Sequence, residues 1–276
     1  MAVMMSRLEP SMSMSAAGTR RQFVLGTLAA AAGAVGLARG AGAEGLALPP
    51  TPRPDDWWVK RHRDKLAELR RGPVNLVFIG DSITHNYELG STAPNYDFLG
   101  LWNRFYGGRQ AVNLGFNGDN TGNVLWRLDN GEIGGISPKA AVVLIGTNDT
   151  IQGRGAAETK AGIDAIVGRL RARVPKARIL VLGILPSGIS DWKSATDLAV
   201  NTALANSYAA DRQVTFMDAG YRFLKDGATD VSLYMDPRND PPGPALHPDA
   251  AAQARLAEAI EPLLSSWLGD RNRLSQ

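Results

Sequence analysis

Leu76-Val77-Phe78-Ile79-Gly80-Asp81-Ser82-Ile83-Thr84 is the stretch on which the fold turns. A short apolar run with β-branched members meets a glycine and then small polar residues, which predicts a buried strand and the loop leaving its carboxyl end. The same pattern returns at Ala111-Val112-Asn113-Leu114-Gly115 and at Ala141-Val142-Val143-Leu144-Ile145-Gly146, the latter running on into Thr147-Asn148-Asp149. The glycines that close the strand stretches, Gly80, Gly115, Gly146 and Gly183, lie 35, 31 and 37 residues apart. That is the length of a strand, a helix and the return to a parallel neighbour. Helical spacing is clearest at Ile163, Ile166, Leu170 and Val174 and again at Leu256, Ile260, Leu263 and Trp267, and Val214 to Met217 supplies a fifth strand. Asp55 is placed to cap a first helix carrying Trp58, His62, Leu66 and Leu69, ended by Gly72-Pro73. The whole predicts an α/β protein: a three-layer α/β/α sandwich around a five-stranded parallel sheet.

Outside this rhythm lie a leader and a long loop. Thr19-Arg20-Arg21-Gln22-Phe23-Val24-Leu25 is a twin-arginine run, followed by an Ala- and Gly-rich apolar stretch to Ala38 and by Ala41-Gly42-Ala43. This pattern predicts a twin-arginine signal peptide over residues 1–43, cleavage before Glu44, and a periplasmic or secreted product made of residues 44–276. The apolar stretch is shorter than the ~20 residues of a membrane span, and Arg39 interrupts it. The full chain has a formal net charge of +3, but residues 1–43 hold four Arg and one Glu, so 26 basic and 26 acidic residues remain. A neutral mature chain gives no electrostatic footing for nucleic acid or an anionic membrane. The absence of cysteine excludes disulfides, thiolate metal sites and a thiol nucleophile. About 230 residues suffice for one sizeable core without such staples. Gly227 to Pro248 holds Pro237, Pro241, Pro242, Pro244 and Pro248 and predicts a long loop of functional weight.

The residues able to do chemistry follow the strands. Ser82 stands where the first strand ends, Gly115 and Asn148 close the second and third, and His247 in Leu246-His247-Pro248-Asp249 opens the last helix. The carboxyl edge of an open parallel sheet is where ligands bind. Each residue has a plainer role as well: Asp81 or Ser82 as a helix cap, Gly115 as a turn, Asn148 as a cap or turn residue. Of the other histidines, His62 packs the first helix, and His85 lies too close to Ser82 in sequence to be a separate base. Tyr87, Tyr96 and Trp192 on neighbouring loops are candidates for a pocket wall. No Gly-x-Ser-x-Gly elbow occurs.

Taken together, Phe78-Ile79-Gly80-Asp81-Ser82, Asn113-Leu114-Gly115-Phe116-Asn117-Gly118-Asp119, Val124-Leu125-Trp126-Arg127-Leu128, Gly146-Thr147-Asn148 and Val181-Leu182-Gly183-Ile184-Leu185-Pro186 resemble the SGNH hydrolases, the GDSL esterase and lipase family. Within it they are most similar to the catalytic subunits of intracellular type Ib platelet-activating factor acetylhydrolase and their bacterial relatives. The resemblance implies a flavodoxin-like fold and a carboxylic ester hydrolase with Ser82 as nucleophile and His247 as general base. It implies an oxyanion hole of the Ser82 amide, the Gly115 amide and the Asn148 side chain. The absence of cysteine and of any His-x-x-x-His cluster predicts an activity that needs no metal, and no cofactor is expected.

One position departs from the family pattern. Where its members carry Asp three residues before the histidine, this chain has Pro244. The group orienting His247 is then a backbone carbonyl on the proline-dense loop or the carboxylate of Asp236 or Asp240. The stiffness of the backbone around Pro241, Pro242 and Pro244 favours the carbonyl. The expected partners are a small-molecule or glycan acyl ester and, in a homodimer, a second copy of the chain, with no nucleic acid and no stable membrane insertion. The expected activity is removal of short acyl groups, acetyl first, from a carbohydrate or lipid. An acyltransferase and a non-catalytic binding protein on the same scaffold are the alternatives.

Overall fold

The computed structural model describes residues 46–275. The leader expected over residues 1–43 lies outside them. Five parallel strands, β1 (Leu76–Gly80), β2 (Ala111–Gly115), β3 (Ala140–Leu144), β4 (Arg178–Leu182) and β5 (Val214–Met217), form one sheet in the order β2-β1-β3-β4-β5. This is the flavodoxin-like order, and its switch point falls between β1 and β3. The register sets Gly80 beside Gly115 on one side and beside Leu144 on the other, so the loops after β1, β2 and β3 leave the sheet together.

Side chains alternate along each strand, so each strand feeds two cores. Val77, Ile79, Val112, Leu114, Ala141, Val143, Ile179 and Val181 face one side. They are covered by α1 (Asp56–Leu69), α4 (Thr121–Arg127), α6 (Ala156–Arg173) and α7 (Asp191–Tyr208). Leu76, Phe78, Ala140, Val142, Leu144, Leu180 and Leu182 face the other side, under α3 (Phe98–Phe105) and α8 (Ala250–Leu268). A sheet covered on both faces has no polar side, which is why its strands read as continuous apolar runs. Two short helices, α2 (Ser82–His85) and α5 (Thr147–Ile151), begin directly after β1 and just beyond β3 at the sheet's carboxyl edge.

Three local expectations differ in detail. Asp55 occupies the N-cap position of α1 but makes no side-chain cap bond, because Arg53 Nε holds its carboxylate at 3.0 Å. The last helix opens after His247, as expected, but two residues later: Pro248 precedes the cap, which is Asp249, whose Oδ1 accepts from Ala252 N at 2.8 Å. Tyr87 is no pocket wall: it is buried against Phe78, Trp102 and Tyr106.

Candidate active site

Asp81 and Ser82 divide the two roles that their position allows. Asp81 Oδ1 caps α2 by accepting from Ile83 N at 3.0 Å, and this leaves the Ser82 hydroxyl free to face across the sheet edge. Its partner arrives from the far end of the chain. His247 Nε2 lies 3.0 Å from Ser82 Oγ. α8 is tied to α2 a turn further on, where the buried Gln253 donates from Nε2 to Ile83 O at 2.9 Å. The serine and the histidine are therefore fixed by a contact independent of their own.

The orienting group is a carboxylate. His247 Nδ1 is 2.7 Å from Asp236 Oδ1. This corrects the expectation of a backbone carbonyl. Pro244 and Asp240 are both exposed and neither bonds the ring, and the long loop folds in a way that its composition does not reveal. Tyr234 and Pro248 form an antiparallel bridge, flanked by bonds from Met235 N to His247 O and from Asp249 N to Leu233 O, both at 2.9 Å. In that pairing a residue near position 236 comes opposite one near 246. Eleven residues of separation thus replace the three of the family pattern. The hairpin is pinned by Arg238, which reaches Asp249 at 2.7 Å, and by the Tyr234 hydroxyl, which donates to Pro186 O at 2.5 Å.

Asp236 also binds the backbone of the opposite arm of the loop. Its Oδ2 accepts from Leu246 N at 2.9 Å and from His247 N at 2.6 Å. Burial works against the ionised form, but the bonds from the His247 ring and these two amides outweigh it and hold the carboxyl below its ordinary range.

On the other side of Ser82 stands the turn Phe116-Asn117-Gly118-Asp119, closed by Asp119 N donating to Phe116 O at 3.1 Å. Gly118 has φ +78°, the left-handed region that glycine enters without steric cost. Here the expectation for Gly115 is corrected. The Gly115 amide donates to Asn113 Oδ1 at 2.8 Å and is not free for a ligand. Gly115 is needed for packing: a Cβ there would lie 2.3 Å from His85 N and 2.6 Å from Thr84 C, inside the backbone of α2. Among the described residues the Gly118 amide has no such partner. Asn148 flanks it, donating one amide hydrogen to Asp119 O at 2.8 Å and keeping the second for a ligand.

Beneath the turn is a buried charge cluster. Arg127 is fully buried; its Nε binds Asp119 Oδ2 at 2.8 Å, one terminal nitrogen binds Glu132, and its guanidinium lies over the Phe116 ring at 3.9 Å. Trp58 Nε1 donates to Asp119 Oδ1 at 2.7 Å, and His62 Nδ1 lies 3.2 Å from Glu132. His85 Nδ1 accepts from Asn117 N at 3.2 Å. Burial, reinforced by the charge of Arg61, pushes the His85 pKa down to about 4, so this ring is a neutral acceptor, not a second base.

A buried hydroxyl on a histidine, the histidine on a carboxylate, and amide donors on adjoining loops are the parts of a serine acyl hydrolase. The chain belongs to the GDSL-like lipase/acylhydrolase family, whose model matches residues 78–255. It is a carboxylic ester hydrolase. It is 37% identical over 216 residues to the human platelet-activating factor acetylhydrolase IB subunit alpha2, covering 78% of this chain and 86% of that one. The human alpha1 subunit is 34% identical over 196 residues, covering 68% of this chain and 79% of the relative. Among solved structures, a GDSL-like lipase from Bacteroides thetaiotaomicron superposes with a TM-score of 0.56 at 18% identity, covering 75% of this chain and 97% of that one, which supports the fold.

Proposed function

We propose that the protein is an exported serine esterase that removes short acyl groups, acetyl first, from the hydroxyls of a carbohydrate or lipid. The observation that carries this reading is the relay from Asp236 to His247 at 2.7 Å and from His247 to Ser82 at 3.0 Å. Asp236 holds the Nδ1–H tautomer, so Nε2 is the acceptor that takes the Ser82 proton as Oγ adds to the ester carbonyl. The tetrahedral oxyanion is received by the Ser82 amide, the Gly118 amide and the Asn148 side chain. Its collapse breaks the bond to the alkoxide, to which imidazolium returns the proton, and water repeats the sequence on the acyl-enzyme. The acetylhydrolase names of the relatives support acetyl as the acyl group, and the Arg20-Arg21 run with Ala41-Gly42-Ala43 supports export.

The test is a series of p-nitrophenyl esters of rising chain length together with acetylated sugars, read for kcat/KM, acyl-enzyme burst and product. Acetyl esters should be hydrolysed best, with Ser82→Ala lowering kcat by about 10⁶. Preference for long chains, or transfer to an added sugar in place of hydrolysis, would redirect the assignment.

A further inference from the structure

We propose that Arg53 is a positioning residue of the oxyanion hole: its guanidinium locks the peptide joining Asn117 to Gly118 in the orientation that presents the Gly118 N–H. The proposal rests on the reading of Gly118 as an oxyanion donor. Arg53 Nη1 donates to Asn117 O at 2.8 Å. That carbonyl and the Gly118 N–H belong to one planar trans peptide and point in opposite directions, so holding the oxygen fixes the direction of the hydrogen.

The lock matters because of the turn. A positive φ at its third residue is the mark of a type II turn, whose central peptide is flipped relative to type I. In Phe116-Asn117-Gly118-Asp119 the central peptide is the one Arg53 grips, and Gly118 with φ +78° has the type II value. Glycine occupies both forms readily, so the turn's own chemistry does not choose between them. A charge-assisted bond to the carbonyl chooses, and it also polarises the peptide so that its N–H is a stronger donor.

Arg53 is delivered to this place by contacts of its own. The arm before α1 lies along the start of α4, with Thr51 N donating to Gly122 O at 3.1 Å and Asn123 Nδ2 donating to Thr51 O at 2.9 Å. Asp55 gives up its capping bond to hold Arg53 Nε, and the Trp57 ring lies 5.5 Å beneath the guanidinium. A surface arginine with no task would leave Asp55 free to cap.

The experiment compares wild type, Arg53→Met and Arg53→Lys for kcat and KM on p-nitrophenyl acetate, thermal midpoint, and inhibition by an alkyl trifluoromethyl ketone, whose adduct on Ser82 places an oxyanion in the hole. Arg53→Met should lower kcat about ten- to a hundredfold, below the 10²- to 10³-fold of losing a donor outright. Its KM should stay within about twofold, and ketone affinity should weaken by the factor lost in kcat, as expected for an interaction made only in the transition state. Arg53→Lys should recover a large part of both. Wild-type kcat and ketone affinity in Arg53→Met would overturn the proposal, as would a rise in KM with kcat unchanged, which would put Arg53 on the substrate instead. If Arg53→Met is too unstable to assay, Arg53→Leu and Arg53→Ala take its place: parallel losses in kcat and ketone affinity that Arg53→Lys largely restores support the proposal, and full kcat and ketone affinity in either overturns it. Retained activity in Ser82→Ala would sink the underlying site assignment, whereas normal Ser82 labelling with an indifferent Arg53→Met sinks only this inference.

Discussion

Exchanging Asp236 for Asn replaces one carboxylate oxygen with an NH2 group, and the structure dictates how the new side chain must lie. Two backbone donors, Leu246 N and His247 N, converge on Oδ2 at 2.9 and 2.6 Å, and only an oxygen satisfies them. The Asn oxygen therefore takes the Oδ2 position and its NH2 group takes the Oδ1 position, 2.7 Å from His247 Nδ1. Facing a donor, Nδ1 becomes the acceptor and the ring proton moves to Nε2, where it points at Ser82 Oγ. The base is then protonated on the wrong nitrogen, although the loop stays in place. The same exchange in a serine-protease triad costs about 10⁴ in turnover, and a loss of that order is expected here. Asp236→Ala should combine a comparable loss with a looser loop, because both amides lose their acceptor as well. Steady-state kcat on p-nitrophenyl acetate, with circular dichroism and the thermal midpoint as controls for folding, measures the effect. Turnover in Asp236→Asn within about tenfold of wild type would refute the carboxylate's role and return the ring to a carbonyl partner.

Two further outcomes follow from the buried charges. Arg127→Met leaves Asp119 and Glu132 buried without their cation and should cost roughly 3 to 5 kcal/mol of stability by chemical denaturation, the usual penalty for breaking a buried pair; a loss below about 1 kcal/mol would show that the cluster is not structural. Burial, against the Ile83 N–H and with the charges of Asp119 and Asp149 adding to it, pushes the Asp81 carboxyl up from 3.8 to about 7. Between those values the folded state holds the extra proton, so stability falls as pH rises through the window and is regained as pH drops. The thermal midpoint should therefore climb from pH 8 to pH 5, and Asp81→Asn should flatten that climb; an unchanged slope would contradict it.

The sheet was legible because its signal is local. Each strand is a run of residues such as Ala141 to Leu144, buried on both faces, and the β1 and β2 runs end in a glycine where α2 or its neighbours press on the backbone. Ser82, Asn148 and His247 were legible for the same reason, since each stands just past an element whose boundaries the pattern defines. The His247 partner was not. It depends on an antiparallel bridge between Tyr234 and Pro248 that no periodicity announces, and the proline content of the loop argued for stiffness without saying which group it would deliver. Gly118, proposed above as an oxyanion donor, was not legible as such, although Asn117-Gly118-Asp119 carries the residue pattern of a turn with positive φ. Gly115, one strand residue earlier than that turn, is consumed by the side chain of Asn113 two residues before it. The buried partners of Arg127 were also unread, although an arginine between Trp126 and Leu128 on an apolar helix face invites the question of what neutralises it.

The proposed mechanism stands or falls on Ser82 as the nucleophile, activated by His247 on Asp236. Reaction with a fluorophosphonate followed by peptide mapping tests it most directly. One label per chain is expected, on Ser82, with activity lost in proportion to labelling and with the labelling rate reduced by orders of magnitude in His247→Ala and Asp236→Asn. Inactivation with the label on another residue, or full esterase activity with Ser82 blocked, would contradict it.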